Sequence, residues 1–177
     1  WADAPFEVVY VCEPSPGVAS ARNRALVASR APFIAFLDDD EEASPGWLAA
    51  LIEARERFDA DVVFGAVRGL APDQACRHRS YLERFFSREG PPEAGLIEHP
   101  YGCGDSLIRR AALPPREAPF SLAQNLIGGE DDILFQEMRA AGARFAWSPE
   151  AWVIEHPEPA RLTLGYALRR PFAYCQG

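Results

Sequence analysis

The 177-residue sequence predicts an α/β protein in which helices flank a mostly parallel sheet. Along its first half, segments with the period of strands alternate with segments with the period of helices, which favours parallel strands joined by right-handed crossovers. One strand is an unbroken apolar run, typical of strands buried on both faces. With 48% hydrophobic and 25% charged residues, the composition is that of a globular domain with a substantial core. We expect a single domain over residues 1–177 that is incomplete at its N-terminus.

The first half of the chain is predicted to contain three strands and two helices. In chain order they are a strand at 6–11, an alanine-rich helix at 18–28, the apolar strand at 33–37, an amphipathic helix at 47–58 and a strand at 61–67. The turn sequence at 14–17 stops the first strand. Strand predictions rest on β-branched and aromatic residues, and helix predictions on apolar residues at helical spacing.

The second half is predicted to begin with a basic, aromatic helix, whose aromatic stripe favours core packing over a ligand platform. The predicted elements are that helix at 73–88, a loop at 87–95, a helix at 130–141 and short strands at 144–147 and 151–155. Gly142 ends the second helix as its C′ residue. Residues 158–177 are expected to form a C-terminal helical segment that covers the sheet, contacts a partner or lies on a membrane surface. Docking on the domain is favoured because the segment is short.

Five consecutive acids, at residues 38–42, follow the apolar strand. The carboxyl edge of an open α/β sheet is where ligands bind, and carboxylates crowded there repel one another unless a cation lies among them. Mg²⁺ and Mn²⁺ prefer such oxygen ligands. Alternatively, the acids begin the next helix, with Ser44 as N-cap and Pro45 at the first position. That alternative suits Glu41 and Glu42 better than it suits residues 38–40.

Two further segments combine polar residues with a turn or a helix start. Arg22 and Asn23 lie one turn inside a helix whose N-terminus could meet an anion, although solvated helix charges explain the arginine equally well. Gly102 and Gly104 beside Asp105 would let a ligand approach the backbone, although a β-turn uses the same residues. Both alternatives stay open at this point.

A second acidic segment, residues 128–132, places three acids after two glycines at the start of a predicted helix. Acids at that position complement the helix dipole, which is sufficient to explain them. The two glycines would also let the carboxylates point into a cleft. His156 ends the last predicted strand, where a role as metal ligand or anion contact competes with a structural or solvated one.

The bulk composition excludes some classes of protein. With 18 basic and 26 acidic residues the net charge is −8, which argues against nucleic acid as a partner. The four cysteines are widely spaced, so they predict neither a zinc site nor a disulfide framework, and they suit a reducing compartment. No apolar run approaches the roughly 20 residues of a transmembrane helix. We therefore expect a cytoplasmic protein, with the inner face of the membrane as an alternative location.

Taken together, these motifs resemble inverting glycosyltransferases of the GT-A fold, family 2 type. The matching stretches are 16–17 with 21–26, 34–41 with 45–48, 102–105 with 109–110, 129–132, and His156. They follow the family's order from about residue 8 to residue 157. The resemblance implies a Rossmann-like, mixed, mostly parallel sheet and a role in polysaccharide biosynthesis.

The resemblance also implies a nucleotide-diphosphate-sugar donor held with a Mg²⁺ or Mn²⁺ cation. It assigns Arg22, Asn23, Asp38, Asp39, Gly104 and Asp105 to donor or acceptor binding, Asp38, Asp40 and His156 to the metal, and Asp131, or its neighbour Glu130, to catalysis. In such enzymes the cation neutralises the departing diphosphate. A carboxylate across the sugar, here Asp131, takes the acceptor hydroxyl's proton, and in-line attack inverts the anomeric centre.

The chain departs from the family's pattern in two respects. Family members begin with a strand, a helix and a strand that build the base-binding half of the nucleotide site, and this chain is expected to start after them. Asp105 stands where many relatives carry asparagine.

Two other functions fit parts of the sequence. A metal-dependent nucleotidyltransferase would need a phosphate loop rich in glycine and lysine, which the sequence lacks. A non-catalytic module that binds carbohydrate or a partner protein would be expected to have lost the acids.

The expected acceptor is a saccharide, a lipid-linked molecule or a small molecule, and membrane-surface or homo-oligomer contacts are further options.

Overall fold

Six strands form one mixed sheet in the computed structural model, which describes residues 5–72, 77–124 and 128–174, without the side chains of 124 and 171–174. They are β1 (Phe33–Phe36), β2 (Glu41–Ala43), β3 (Val62–Gly69), β4 (Gly95–Ile97), β5 (Ser106–Arg109) and β6 (Phe145–Glu155). The strand order is β1-β5-β3-β6-β2, and β4 also pairs with β6.

Five α-helices accompany the sheet in the described part of the chain. They are α1 (Val18–Ala28), α2 (Trp47–Phe58), α3 (Arg79–Phe86), α4 (Glu130–Ala140) and α5 (Leu164–Tyr174). Short 3₁₀ turns lie at Arg110–Ala112 and Leu122–Gln124. None of the described helices has the length and apolar character that crossing a membrane requires.

The α/β class and the mixed, GT-A-type sheet are confirmed, but the expectation of mostly parallel pairing is wrong. Only β3 and β6 pair in parallel among the described strands, while the other four pairs are antiparallel. The strands β1, β3 and β6 do run in one direction, because β5 lies antiparallel between β1 and β3. The antiparallel pairs come from β2, β4 and β5, which have only three or four residues each.

The core lies on both faces of the sheet because the side chains of β3 alternate between them. Val62 and Phe64 belong to the cluster that contains residues of α1 and α4. Val63 belongs to the cluster on the other face, with Leu51 of α2. The Phe64 and Phe135 rings meet edge to face at 5.0 Å, which fixes α4 against the sheet.

Most predicted helices and strands are confirmed, with shifts at their ends. The apolar strand, the helix at 47–58 and the helix closed by Gly142 (φ 87°) are present. The aromatic helix is shorter than predicted, since it begins at Arg79, and residues 73–76 lie outside the described part. Its aromatic stripe is only partly core, because Phe86 is buried whereas Tyr81 is exposed.

The prediction of a strand at residues 6–11 is wrong for the described structure, in which these residues form no ladder. Their side chains are largely exposed, with Tyr10 at 90%, because no described strand lies beside them. The predicted strands at 144–147 and 151–155 are instead one strand, β6, with an irregularity opposite Gly65 and Ala66.

The start of α2 also differs from the prediction. Gly46, in the left-handed region at φ 82°, is the N-cap, so Ser44 and Pro45 precede the helix. The Ser44 carbonyl accepts a hydrogen bond from the Trp47 N–H at 3.0 Å and closes a turn. Glu41 and Glu42 belong to β2 rather than to the helix start, because they pair with Glu155 and Ile154 of β6.

Candidate active site

A cleft of about 420 Å³ lies where the end of β1, the loop 101–105 before β5 and the start of α4 meet. Its lining comprises Val18, Arg22, Asp38, Glu41, Val67, Phe86, Arg88, Gly102, Cys103, Gly104, Gly128, Gly129, Glu130, Asp131, Asp132, Glu155 and Arg170. The structure thus brings the acidic segment after β1 and the acidic start of α4 to one cleft. Among the predicted site residues, five line it: Arg22, Asp38, Gly104, Glu130 and Asp131.

Arg22 of α1 bridges the two acidic segments. Its Nη1 donates to Glu130 Oε1 at 2.7 Å, and its Nη2 lies 3.3 Å from Asp38 Oδ1. The guanidinium also lies over the Phe120 ring, 5.6 Å from the centroid. Because a buried arginine needs carboxylate partners, this contact ties α1 to α4 and to the end of β1.

The two acids that compete for the catalytic role differ in their surroundings. Glu130 is buried, and burial raises the pKa of its carboxyl. The same carboxyl forms an ion pair with Arg22. Asp131 is half-buried at the edge of the cleft, and its Oδ2 accepts a hydrogen bond from the Cys103 N–H at 2.9 Å. Its Oδ1 accepts one from the Asp132 N–H at 3.0 Å. Both acids line the cleft, but Glu130 is held by an arginine whereas Asp131 is held by backbone N–H groups.

Glu41 and Asp38 crowd together opposite Gly104. Glu41 Oε2 accepts a hydrogen bond from the Asp38 N–H at 2.8 Å. Burial raises the pKa of Glu41 to about 7, and the charges of Asp38 and Asp105 act in the same direction. The hydrogen bond from the Asp38 N–H and the charge of Arg88 act in the opposite direction. A Cβ on Gly104 would lie 2.6 Å from Asp38 Oδ2, so any side chain at this position would displace the Asp38 carboxylate.

Asp105 is the last residue of the loop 101–105, and it is not on the cleft lining. Its carboxylate is fully buried, with Oδ1 accepting a hydrogen bond from Trp47 Nε1 at 2.6 Å and Oδ2 3.6 Å from Arg88 Nη2. The backbone adopts a left-handed φ of 51°. Burial raises the pKa of Asp105 to about 6, although Trp47 and Arg88 act in the opposite direction. The geometry therefore does not favour the predicted contact with a sugar.

Asn23 and Asp39 also lie away from the cleft lining. The side chain of Asn23 is buried, where its amide donates to the Phe120 carbonyl at 2.8 Å and accepts from the Phe120 N–H at 3.0 Å. That pair of bonds gives Asn23 a structural role between α1 and the chain before α4. Asp39 is exposed in the turn between β1 and β2.

The three predicted metal ligands do not converge in the structure. Asp40 Oδ2 pairs with Arg161 Nη1 at 2.9 Å, and His156 Nε2 lies 3.3 Å from Glu42 Oε2. Only Asp38 lines the cleft. Over residues 5–72, 77–124 and 128–174, no group of three or more His, Cys, Asp or Glu side chains is placed to hold a metal ion.

Sequence reasoning missed several residues that shape the cleft, namely Glu41, Arg88, Glu155 and Arg170. Glu41 belongs to the predicted acidic segment, but the alternative of a helix start suited it better than a role in the site, and the three others sit among other charged residues in the sequence. Arg88 had no local signal, because its partners are backbone carbonyls up to 23 positions away.

A mixed sheet flanked by helices, with acidic segments after its first strand and at a later helix N-terminus that line one cleft, is consistent with the GT-A type of fold. Comparisons of the sequence with known proteins agree with this class. Residues 1–114 match the family described as Glycosyl transferase family 2, and the chain belongs to that family.

Two curated relatives come from Rhizobium meliloti (strain 1021). Succinoglycan biosynthesis protein ExoM is 36% identical over 170 residues, which cover 96% of this chain and 54% of that protein. Succinoglycan biosynthesis protein ExoO is 29% identical over 148 residues, which cover 79% of this chain and 42% of that protein. The chain spans about half the length of the curated relatives that it matches.

Proposed function

We propose that this chain transfers a sugar from a nucleotide-diphosphate-sugar to an acceptor hydroxyl, with inversion at the anomeric carbon, during polysaccharide assembly. The observation that carries the proposal is the placement of Asp38 and Asp131 on the lining of one cleft. The names of the two relatives, both succinoglycan biosynthesis proteins, support a polysaccharide as the product. A growing saccharide is therefore the proposed acceptor.

Asp131 is the proposed general base. Its carboxylate borders the cleft, and the Cys103 N–H fixes the direction of Oδ2. A base positioned in this way takes the proton of the acceptor hydroxyl as the oxygen attacks the anomeric carbon. Direct in-line displacement by one base forms no glycosyl-enzyme intermediate, and the configuration inverts. The bond between Glu130 and Arg22 supports Asp131 over its neighbour for this role.

Asp38 is the proposed contact on the donor side. Mg²⁺ is often held by one or two carboxylates together with substrate phosphates and water, so a cation would not need the predicted set of three protein ligands. Asp38 fits that mode because its side chain is 45% exposed and lines the cleft, whereas Asp40 and His156 are not on the cleft lining. A bound Mg²⁺ or Mn²⁺ would supply Lewis-acid stabilisation to the departing diphosphate.

Calorimetric titration with UDP and GDP, with and without Mn²⁺, combined with donor-turnover assays, tests the proposal. We expect metal-dependent binding of one nucleotide and slow hydrolysis of the matching sugar donor. Asp131→Asn should lower turnover by about 10²–10⁴-fold and keep nucleotide affinity, whereas Asp38→Ala should weaken nucleotide binding. Glu137→Gln, on an outer position of α4 paired with Arg116, serves as the control. Wild-type turnover in Asp131→Asn would remove the base assignment, and binding of neither nucleotide would favour a non-catalytic module.

A further inference from the structure

Arg88 follows α3 and contacts the loop 101–105, which carries Gly102 and Gly104 of the cleft lining. Its backbone exchanges two hydrogen bonds with Val67 of β3, at 2.8 and 3.1 Å. Only 15% of its side chain is exposed. The sheet therefore holds the base of this side chain, and the guanidinium is directed inward.

The guanidinium of Arg88 donates to four backbone carbonyls. Nε bonds to the Gly65 carbonyl at 3.0 Å, Nη1 to that of Gly102 at 2.9 Å, and Nη2 to those of Gly104 and Asp105 at 2.7 and 3.2 Å. A planar guanidinium offers five donors in a fixed arrangement, so it sets the orientation of several peptide groups at once. The loop is thereby tied to β3.

One of these peptide groups links Arg88 to Asp131. The Gly102 carbonyl and the Cys103 N–H belong to the same peptide unit, which is planar, and the described chain contains no cis peptide bond. In a trans unit the C=O and the N–H point in opposite directions. Arg88 holds the C=O, and the N–H donates to Asp131 Oδ2 at 2.9 Å.

The space around Gly102 agrees with this connection. A Cβ built on Gly102 would lie 3.4 Å from Asp131 Oδ2 and 3.7 Å from Arg88 Nη1. The two charged groups thus lie close to the same residue. The buried charge of Arg88 is balanced by Asp105, whose Oδ2 has no hydrogen-bond partner among the described atoms other than this ion pair at 3.6 Å.

We infer that Arg88 is a positioning residue for Asp131, acting through the Gly102–Cys103 peptide. The inference rests on the proposed role of Asp131 as general base. Arg88 itself need not touch the sugars, because its donors are used by the backbone. A shift of about 1 Å in a catalytic group can lower turnover by roughly 10²-fold, so loss of the guanidinium should act on turnover more than on binding.

The test compares Arg88→Lys with Arg110→Lys, a matched variant outside the cleft. Arg110 also bonds to backbone carbonyls, those of Ala31 at 2.7 Å and Leu26 at 3.2 Å. We expect Arg88→Lys to lower kcat about 10-fold or more with KM for the donor nearly unchanged. Arg110→Lys should lower thermal stability comparably and leave kcat near wild type.

A double-mutant cycle with Asp131→Asn separates positioning from a general loss of structure. If Arg88 acts through Asp131, Arg88→Lys should cause no further loss of kcat in the Asp131→Asn background. Full additivity, or a wild-type kcat for Arg88→Lys, would overturn the inference. Should Arg88→Lys not fold, the double substitution Arg88→Gln with Asp105→Asn removes both buried charges together and takes its place.

Hydrogen exchange of the Cys103 amide provides a readout that does not depend on turnover. The amide should exchange faster in Arg88→Lys than in wild type or Arg110→Lys, because the peptide is no longer held from its carbonyl side. Equal exchange rates would overturn the positioning role even if the wild type transferred sugar. If the wild type transferred no sugar, the proposed function would fail, and the exchange rates would still decide whether Arg88 holds this peptide.

Discussion

Gly104 and Gly102 lie two positions apart in one loop and differ in what a methyl group would meet. A Cβ at Gly104 would lie 2.6 Å from Asp38 Oδ2 and 3.1 Å from Glu41 Oε1, whereas at Gly102 the nearest atom would be Asp131 Oδ2 at 3.4 Å. Gly104→Ala should displace the Asp38 carboxylate and weaken nucleotide binding by about 10-fold, or about 1.4 kcal/mol. Calorimetry with the nucleotide that binds wild type provides the measurement.

Gly102→Ala is the matched substitution for this experiment, because it adds the same methyl group to the same loop on the Asp131 side. Its nucleotide affinity should stay close to wild type, while any effect falls on turnover. Equal weakening of nucleotide binding by both substitutions would show that the loop as a whole, and not the space beside Asp38, sets the affinity.

Asp105 makes the stability of the fold depend on pH. Its pKa is raised to about 6 in the folded protein, against about 3.9 in an unfolded chain. The folded state therefore binds this proton more tightly, and the resulting stabilisation, present below about pH 4, is lost as the pH rises through about 6. Asp105→Asn keeps the acceptor for Trp47 and removes the charge, so its unfolding free energy should fall less between pH 4 and pH 7 than that of wild type.

Urea unfolding of wild type and Asp105→Asn at several pH values measures this difference. We expect the two to diverge by up to about 2 kcal/mol as the pH rises from 4 to 7. Taking the difference between the two proteins removes the contribution of Glu155, whose pKa is also raised to about 7. The contribution of Glu41 cancels only in part, because the charge of Asp105 is one of the causes that raise the pKa of Glu41. Parallel curves would show that Asp105 is not the group responsible.

At the scale of single elements, the C-terminal helix α5 depends on a side chain that precedes it. Arg161 pairs with Asp40 at 2.9 Å and with Glu155 at 3.5 Å, and its guanidinium lies over the Phe86 ring, 5.1 Å from the centroid. The Phe86 and Tyr166 rings stack at 6.1 Å beside it. Arg161 thus connects α5 to α3 and to the turn after β1.

Arg161→Ala should therefore loosen α5 and lower the free energy of unfolding by about 1–3 kcal/mol. Faster hydrogen exchange confined to α5, together with earlier cleavage by a protease within residues 158–170, would show the loosening. Arg169→Ala is the control, since that exposed arginine bonds only to the Gly165 carbonyl of its own helix among the described contacts. Similar exchange in the two variants would contradict the role of Arg161.

The sequence predicted the helices well and missed the short strands β2, β4 and β5, for a physical reason. A helix of 11 or 12 residues, such as α2 or α4, shows its apolar face several times over. A strand of three or four residues, such as β2 or β5, shows too few alternations to be told from a loop. Residues 6–11 have strand-forming side chains, but a strand exists only where a neighbour pairs with it.

At the scale of the whole molecule, the candidate site was predictable where its residues form contiguous motifs. Asp38 and Asp131 each stand in such a motif, and the fold brings both to one cleft. Contacts between distant positions were not predictable, since no local pattern records them. Arg22 and Glu130 are 108 positions apart, and the carboxylate of Asp40, which was predicted to bind a metal, instead pairs with Arg161, 121 positions away.

The ion pair between Arg22 and Glu130 links α1 to α4. Substitutions of the neighbouring residues Glu130 and Asp131 should therefore affect different properties, stability in the first case and turnover in the second. The side chains of Arg22 and Glu130 are 12% and 8% exposed, and loss of one partner leaves the other charge buried with less compensation. Glu130→Gln should lower the free energy of unfolding by about 1–3 kcal/mol, because Asp38 remains near Arg22 as a second partner. Asp131→Asn should leave that free energy within about 0.5 kcal/mol of wild type and reduce turnover instead. Urea unfolding and donor turnover measured on both variants, with Glu137→Gln as the control, check this separation; a Glu130→Gln protein with wild-type stability and no turnover would assign the base to Glu130.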